Sequence, residues 1–210
     1  MTHKTKTRIK KIQGIMGEII PVSKRGEPWL NENNKDCLEK IDAPPGFYKA
    51  NLGTFSLASK KGGETQYQRE LYKNESRWLD MELPPGKGKT NKPMKIDLIG
   101  RDCDEFILCE LKNENENPFD ALLQVLVYYL MIQQNAEMMD AEKVHHKNAR
   151  CQCFKWVKVR DNVKLLIKAK KWGSHEKVKI TALKKIIKNC GDDLKIIVED
   201  ENGIVDPFSF

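Results

Sequence analysis

Two short apolar runs in the middle of the chain constrain the fold most, because each has the length of a buried strand but carries charged side chains. Residues 95–100 contain Asp97, and residues 106–112 contain Glu110 and Lys112. Burying a carboxylate is unfavourable unless it is paired with a cation or a metal ion. The five residues between the runs are polar, and their number suits a hairpin turn. The sequence therefore predicts two paired strands that bring Asp97, Glu110 and Lys112 together at one end.

The charge distribution supports a metal site beside a phosphate-binding surface. Residues 101–140 hold 2 basic and 9 acidic side chains, whereas residues 141–210 hold 16 basic and 9 acidic ones and account for the net charge of +7. Within the latter, residues 143–188 have 15 Lys or Arg and only 2 acidic residues. Two carboxylates and one ammonium group suit phosphodiester hydrolysis assisted by a divalent metal, while a basic segment suits nucleic acid. The alternative for the lysines is a solvated protein surface.

The chain shows no sign of a membrane or secretory destination. No apolar run reaches the roughly 18 residues that a membrane-spanning helix needs. The N-terminal residues lack the apolar core of a signal peptide. The 6 cysteines form no regular framework and are expected to be reduced thiols. We expect a cytoplasmic protein.

The order of elements predicts an α/β fold with a central mixed β-sheet flanked by helices. Residues 1–61 are interpreted as an N-terminal extension, irregular or loosely stranded, and residues 62–210 as the main domain. Asn117 and Pro118 are typical of a helix N-cap and first helical position. The predicted elements are a helix at 64–76, a strand at 78–83, a hairpin at 94–112, a helix from 118 to about 134, a strand at 163–169, a helix at 176–189 and a strand at 194–199.

These residues carry a resemblance to a known enzyme superfamily. Glu110-x-Lys112 follows Asp97 by thirteen positions, on adjacent predicted strands that come after a Glu-bearing helix. This pattern is similar to the PD-(D/E)xK nucleases, the restriction-endonuclease-like enzymes, and above all to their RecB-like and mismatch-endonuclease-like branches. The resemblance covers residues 62–135 well and residues 160–200 only as a pattern of elements. It implies a restriction-endonuclease-like core.

The resemblance also implies a role for each residue. Asp97 would bridge one or two Mg²⁺ (or Mn²⁺) ions, since hard cations bind anionic oxygens. Glu110 would be a second metal ligand, together with the backbone carbonyl of Leu111. Lys112 would orient or help deprotonate the attacking water and stabilise the developing negative charge. The basic C-terminal part would bind the DNA backbone.

A further catalytic and metal-binding acid is expected on the first helix, where Glu64 and Glu70 are both candidates. Glu64 has apolar residues three and seven positions later, so it lies near the inward face of the helix. Glu70 lies closer to the following strand and is flanked by Arg69. We favour Glu64 and leave Glu70 open.

Gln124 and Tyr128 are the candidates for substrate binding. Their i, i+4 spacing places them on one face of a helix that is otherwise apolar. A buried amide needs hydrogen-bond partners, so a Gln within this apolar run is unusual. The pair matches the Gln-x-x-x-Tyr motif of RecB-like nucleases, which lies beside the metal site. The alternative is a Gln bonded to neighbouring backbone and a Tyr packed in the core.

The predicted function is metal-dependent hydrolysis of DNA phosphodiester bonds. Three alternatives remain open: a catalytically inactive nucleic-acid-binding module on the same fold, a ribonuclease, and an interaction protein whose acidic centre binds a basic partner. The resemblance also allows a homodimer, as in relatives that cut both strands, and a helicase or other partner protein on a separate chain.

Overall fold

The structure is a computed structural model that describes residues 52–58, 62–87, 93–152, 154–173, 177–190 and 194–208. Most of the predicted N-terminal extension therefore lies outside the described residues. The elements, in chain order, are α1 (Gly63–Asn74), β1 (Trp78–Lys87), β2 (Pro93–Asp102), β3 (Glu105–Glu116), α2 (Pro118–Ala141), α3 (Trp156–Asp161), β4 (Val163–Trp172), α4 (Lys177–Cys190), β5 (Ile196–Asp200) and β6 (Gly203–Ile204).

The strands form one mixed sheet in the order β1-β2-β3-β4-β5-β6. The pairs β1–β2, β2–β3 and β5–β6 are antiparallel, whereas β3–β4 and β4–β5 are parallel. Parallel neighbours require a long crossover, and α2 with α3 and then α4 supply the two that this sheet needs. The predicted α/β class with a mixed sheet and flanking helices is confirmed.

Helices cover both faces of the sheet. On one face, α1 buries Tyr67, Leu71 and Tyr72 in an apolar cluster with strand residues. On the other, α2 and α4 pack in a larger cluster, and α2 is apolar on nearly all sides because it also contacts α3 and α4. None of the helices in the described ranges is both long and apolar enough to cross a membrane.

Asn117 caps α2 as predicted, because its side-chain oxygen accepts a hydrogen bond of 2.9 Å from Phe119 N. The helix extends beyond the predicted end at about residue 134 and reaches Ala141. Ala136 and Met139 are buried in the larger cluster, so the same apolar contacts continue for two further turns.

Strand β1 also runs further than predicted, through Pro84 and Pro85 to Lys87. Proline cannot donate to a neighbouring strand, but an edge strand tolerates it because one side of the strand is unpaired. Strand β1 is the edge of the sheet, and its pairing with β2 shifts register between Leu83 and Gly86.

Candidate active site

The predicted hairpin forms, and its strands separate where Asp97 lies. Regular β2–β3 pairing extends only to Leu98 opposite Cys109. Beyond this pair, the backbone N–H of Leu111 donates to Asp97 Oδ2 at 2.8 Å. The Asp97 carboxylate thus accepts a hydrogen bond that a backbone carbonyl of β2 would accept in a regular ladder. This bond fixes the Asp97 side chain against β3.

The neighbouring strand is irregular at the same level. Residues two apart on a regular strand face the same side of the sheet. Ile96 and Leu98 nevertheless pack into different apolar clusters, and so do their partners Leu83 and Met81 on β1. Glu82, between those partners, has a φ of 53°, in the left-handed region. The sheet is therefore distorted across both strands at the position of Asp97.

Helix α1 supplies a residue that the sequence reading did not single out. Gln68 is buried, and its amide Nε2 donates to the backbone carbonyl of Asp97 at 2.6 Å. The side chain therefore holds the main chain on which the carboxylate is mounted. The signal in the sequence was a polar residue on the buried face of α1, between Tyr67 and Leu71.

Lys112 connects the two other acids of the site. Its Nζ lies 2.7 Å from Glu110 Oε1 and 3.9 Å from Glu64 Oε2. Glu110 and Lys112 have side-chain exposures of 3% and 12%, so their ion pair is largely shielded from solvent. Glu64 is 44% exposed and lies at the mouth of the site.

Glu70, the other candidate on α1, lies apart from this group. It is exposed and accepts a hydrogen bond of 2.7 Å from Gln66 Nε2 on the helix surface. The structure thus brings Glu64, and not Glu70, next to Lys112.

The carboxylates of the site raise each other's pKa values. Burial, and next the charge of Glu64, raises the pKa of Asp97 to about 7, although the Leu111 N–H and Lys112 oppose the shift. Burial and then Asp97 raise the pKa of Glu110 well above its usual range. Strongly shifted acids grouped at one place are a common feature of functional sites.

Lys112 keeps its proton in this environment. Burial by itself would lower the pKa of Lys112, but Glu110, Glu64 and Asp97 outweigh burial and raise it. The side chain is therefore an ammonium group, which can donate hydrogen bonds and stabilise negative charge but cannot accept a proton.

Gln124 and Tyr128 on α2 reach the same site. Tyr128 is buried, and a side-chain hydrogen bond links it to Gln124. Burial first, and then the charges of Glu110 and Asp97, raise the pKa of Tyr128 well above its usual range. The phenol thus stays protonated beside the carboxylates and can act as a hydrogen-bond donor.

One carboxylate oxygen of the site is buried without a hydrogen-bond partner in the described part of the chain. Glu110 Oε2 is buried, and no donor among the described residues reaches it. Within those same ranges, no group of three or more His, Cys, Asp or Glu side chains is arranged to hold a metal ion. The Asp97 and Glu110 carboxylates and the Leu111 carbonyl are the groups here that could hold a hard divalent cation, which binds oxygen ligands.

Comparison with known proteins identifies no relative. No protein-family model matches the chain, and neither a curated protein nor a solved structure is significantly similar to it.

Proposed function

We propose that the protein is a metal-dependent nuclease with a restriction-endonuclease-like core that hydrolyses DNA phosphodiester bonds. One observation carries the proposal: Asp97, Glu110 and Lys112 meet where β2 and β3 separate, and one buried oxygen of Glu110 has no described donor. A buried carboxyl oxygen without a hydrogen-bond partner is unfavourable in a purely structural cluster, and a bound cation would satisfy it.

The order of elements supports the proposed core. An acid-bearing helix, α1, precedes the hairpin β2–β3, and α2 with its Gln124–Tyr128 pair follows the hairpin directly. This is the arrangement that the resemblance to the PD-(D/E)xK superfamily implies.

Asp97, Glu110 and the Leu111 carbonyl would hold Mg²⁺ or Mn²⁺. When bound, such an ion would supply Lewis-acid activation of the phosphodiester and would lower the pKa of an attacking water. Lys112, as an ammonium group, would orient that water and stabilise negative charge that develops on the phosphate oxygens. Of the two expected roles, orientation of the water is the one that an ammonium group can perform directly.

Tyr128 and Glu64 complete the proposed site. The protonated Tyr128 hydroxyl would donate a hydrogen bond to a phosphate oxygen, and Gln124 would hold the phenol in position. Glu64 contacts Lys112 and would fix the direction of the ammonium group. Because Glu64 is 44% exposed, it can also turn toward a second ion.

The lysines of the basic C-terminal part are of two kinds, buried and exposed. Lys164, Lys168 and Lys179 are buried, and each lies within 3.5 Å of an acidic side chain. These three stabilise the domain and are unavailable to DNA. The exposed lysines of this part, among them Lys177 and Lys188, are the groups that would neutralise phosphates.

The test is cleavage of labelled single-stranded, duplex and branched DNA, and of matched RNA, with Mg²⁺ or Mn²⁺. We expect metal-dependent DNA cleavage that falls at least a hundredfold in Lys112→Ala, because the variant lacks the charge that stabilises the transition state. Lys95→Ala is the matched control, since Lys95 also pairs with a glutamate, Glu82 at 3.0 Å, but is 49% exposed, whereas Lys112 is 12% exposed and contacts Glu110 and Glu64.

The outcome distinguishes the alternatives. If wild type and variant both bind DNA with a steep salt dependence and neither cuts, the domain is a binding module and the catalytic assignment is wrong. Preferential cleavage of RNA would make the protein a ribonuclease.

A further inference from the structure

A cavity of about 500 Å³ lies at the opposite end of the hairpin from the candidate active site. Its walls come from the β2–β3 turn, from α3 and from the loop before α3, and include Arg101, Phe106 and Lys158. Arg101 follows Asp97 by four residues on β2, and Phe106 precedes Glu110 by four on β3. Four residues of strand span roughly 13 Å, so a ligand here would not be the phosphate held at Asp97. The volume falls in the range of small-molecule sites.

The charge in the cavity is positive once the ion pairs are assigned. Of its two acids, Asp104 is 98% exposed and lies 3.6 Å from Arg101, while Asp161 lies 3.3 Å from Arg160, which also pairs with Glu137 at 2.5 Å. The four cations Arg101, Arg160, Lys155 and Lys158 therefore stand against three acids, which leaves a net charge of +1. Lys155 and Lys158 are exposed and three residues apart. Neither lysine forms an ion pair with any side chain in the described part of the chain. Two ammonium groups at one mouth favour a multiply charged anion.

The inner wall of the cavity is apolar and aromatic. Phe106 and Phe154 lie with ring centroids 6.5 Å apart, and Leu79 contributes aliphatic surface beside them. The guanidinium carbon of Arg101 lies 5.8 Å from the centroid of the Phe106 ring. Phe106 and Phe154 are each 8% exposed and Arg101 is 53% exposed, so the guanidinium plane offers the larger surface on which a heteroaromatic base could stack.

Asn162 adds a group for polar recognition at the rim. Its amide nitrogen donates to the backbone carbonyl of Asp104, which fixes the orientation of the side chain. The remaining carboxamide oxygen is exposed and can accept a hydrogen bond from an amino group of a base.

We propose that this cavity binds a nucleotide, with the base against Phe106, Phe154 and Arg101 and the phosphates on Lys155 and Lys158. A free mononucleotide and the terminal nucleotide of a strand share this chemistry. The inference does not rest on the proposed nuclease function, since no residue of the cavity belongs to the candidate active site.

The test is isothermal titration calorimetry of the full chain in EDTA, which removes any contribution from a bound metal ion. The probes are ATP, tripolyphosphate, adenosine and a 5′-phosphorylated single-stranded trinucleotide. We expect ATP or the trinucleotide to bind at least tenfold tighter than tripolyphosphate or adenosine. Binding of the trinucleotide alone would identify a strand end as the ligand, and binding of ATP would identify a free nucleotide.

Two double variants assign the binding to the cavity. Lys155→Ala/Lys158→Ala should weaken nucleotide binding at least tenfold, while Lys73→Ala/Lys95→Ala, which removes the same charge from exposed positions on α1 and β2, should not. Equal losses in both double variants, tripolyphosphate binding as tight as that of the nucleotides, or no binding at millimolar concentration would each overturn the proposal.

Discussion

Replacing Asp97 by Asn should stabilise the metal-free protein above pH 7. Asp97 faces Glu64 from α1, Glu110 and Lys112 from β3 and the Leu111 N–H, and its pKa rises from 3.8 to about 7. A shift of roughly 3 units at about 1.4 kcal/mol each gives a ceiling near 4 kcal/mol on the penalty of charging this carboxyl. Solvent reaches the half-buried side chain, so we expect a gain of about 2 kcal/mol in the free energy of unfolding. Asparagine retains an oxygen that accepts the Leu111 N–H.

The sign of the pH dependence follows from the direction of the shift. Between pH 3.8 and about 7, the folded protein holds a proton on Asp97 that the unfolded chain has lost. The contribution of this group to stability is therefore complete below pH 3.8 and is lost as the pH rises through 7, by at most about 1.4 kcal/mol per pH unit. Asparagine does not titrate, so the difference between variant and wild type should grow across this window.

Urea unfolding in EDTA at pH 5, 6.5 and 8 measures this difference. Glu70→Gln is the matched control, because Glu70 is an exposed acid of α1, and its effect should stay within about 0.5 kcal/mol at every pH. Adding Mg²⁺ should stabilise wild type and not Asp97→Asn, since only the wild-type site offers both carboxylates. A difference that is constant from pH 5 to 8, or a variant less stable than wild type at pH 8, would refute the electrostatic account.

Three further substitutions test how the site and the fold are held. Gln68→Leu removes the 2.6 Å hydrogen bond to the Asp97 carbonyl. The affinity for Mn²⁺, measured by calorimetry on the folded variant, should fall by about 10- to 100-fold. An unchanged affinity would show that Gln68 does not help to position the metal ligands. Gly100→Ala places a Cβ 2.7 Å from the Trp78 ring and 2.9 Å from the backbone oxygen of Arg77, so it should lower the unfolding free energy by about 1–3 kcal/mol in urea. A neutral result would mean that both the ring and the Arg77 backbone can shift. Asn117→Ala removes the N-cap of α2 and should lower the free energy of unfolding by about 1 kcal/mol, whereas Asn117→Ser keeps a capping oxygen and should not.

The elements that depend on interactions between neighbouring residues could be predicted from the sequence. The polar turn between two apolar runs indicated the hairpin, and Asn117-Pro118 marked the start of α2 because capping depends on adjacent residues. The hairpin register in turn places Asp97 across from Glu110, so the sequence could anticipate this grouping.

Contacts between distant residues account for what the sequence did not predict. Helix α3 has only six residues, and its first N–H groups donate to the side chain of Asp140, sixteen positions before Trp156. Similarly, Gln68 reaches the Asp97 carbonyl 29 residues away. Neither partner is visible in a local window, and both depend on how helices pack against the sheet.

Charge counting along the chain likewise could not separate structural cations from available ones. Lys168 belongs to a lysine-rich segment, yet it is buried beside Glu199, which also binds Arg77 at 2.9 Å. Its charge is matched inside the domain, whereas Lys112 is shared among three acids whose pKa values are all raised. Arg77 also pairs with Glu75 at 2.8 Å, so the first cluster has two cations and two acids and is electrostatically balanced. The second has an excess of carboxylates that either protons or a cation must neutralise. This imbalance, more than the number of charges, distinguishes a candidate active site from a structural ion pair.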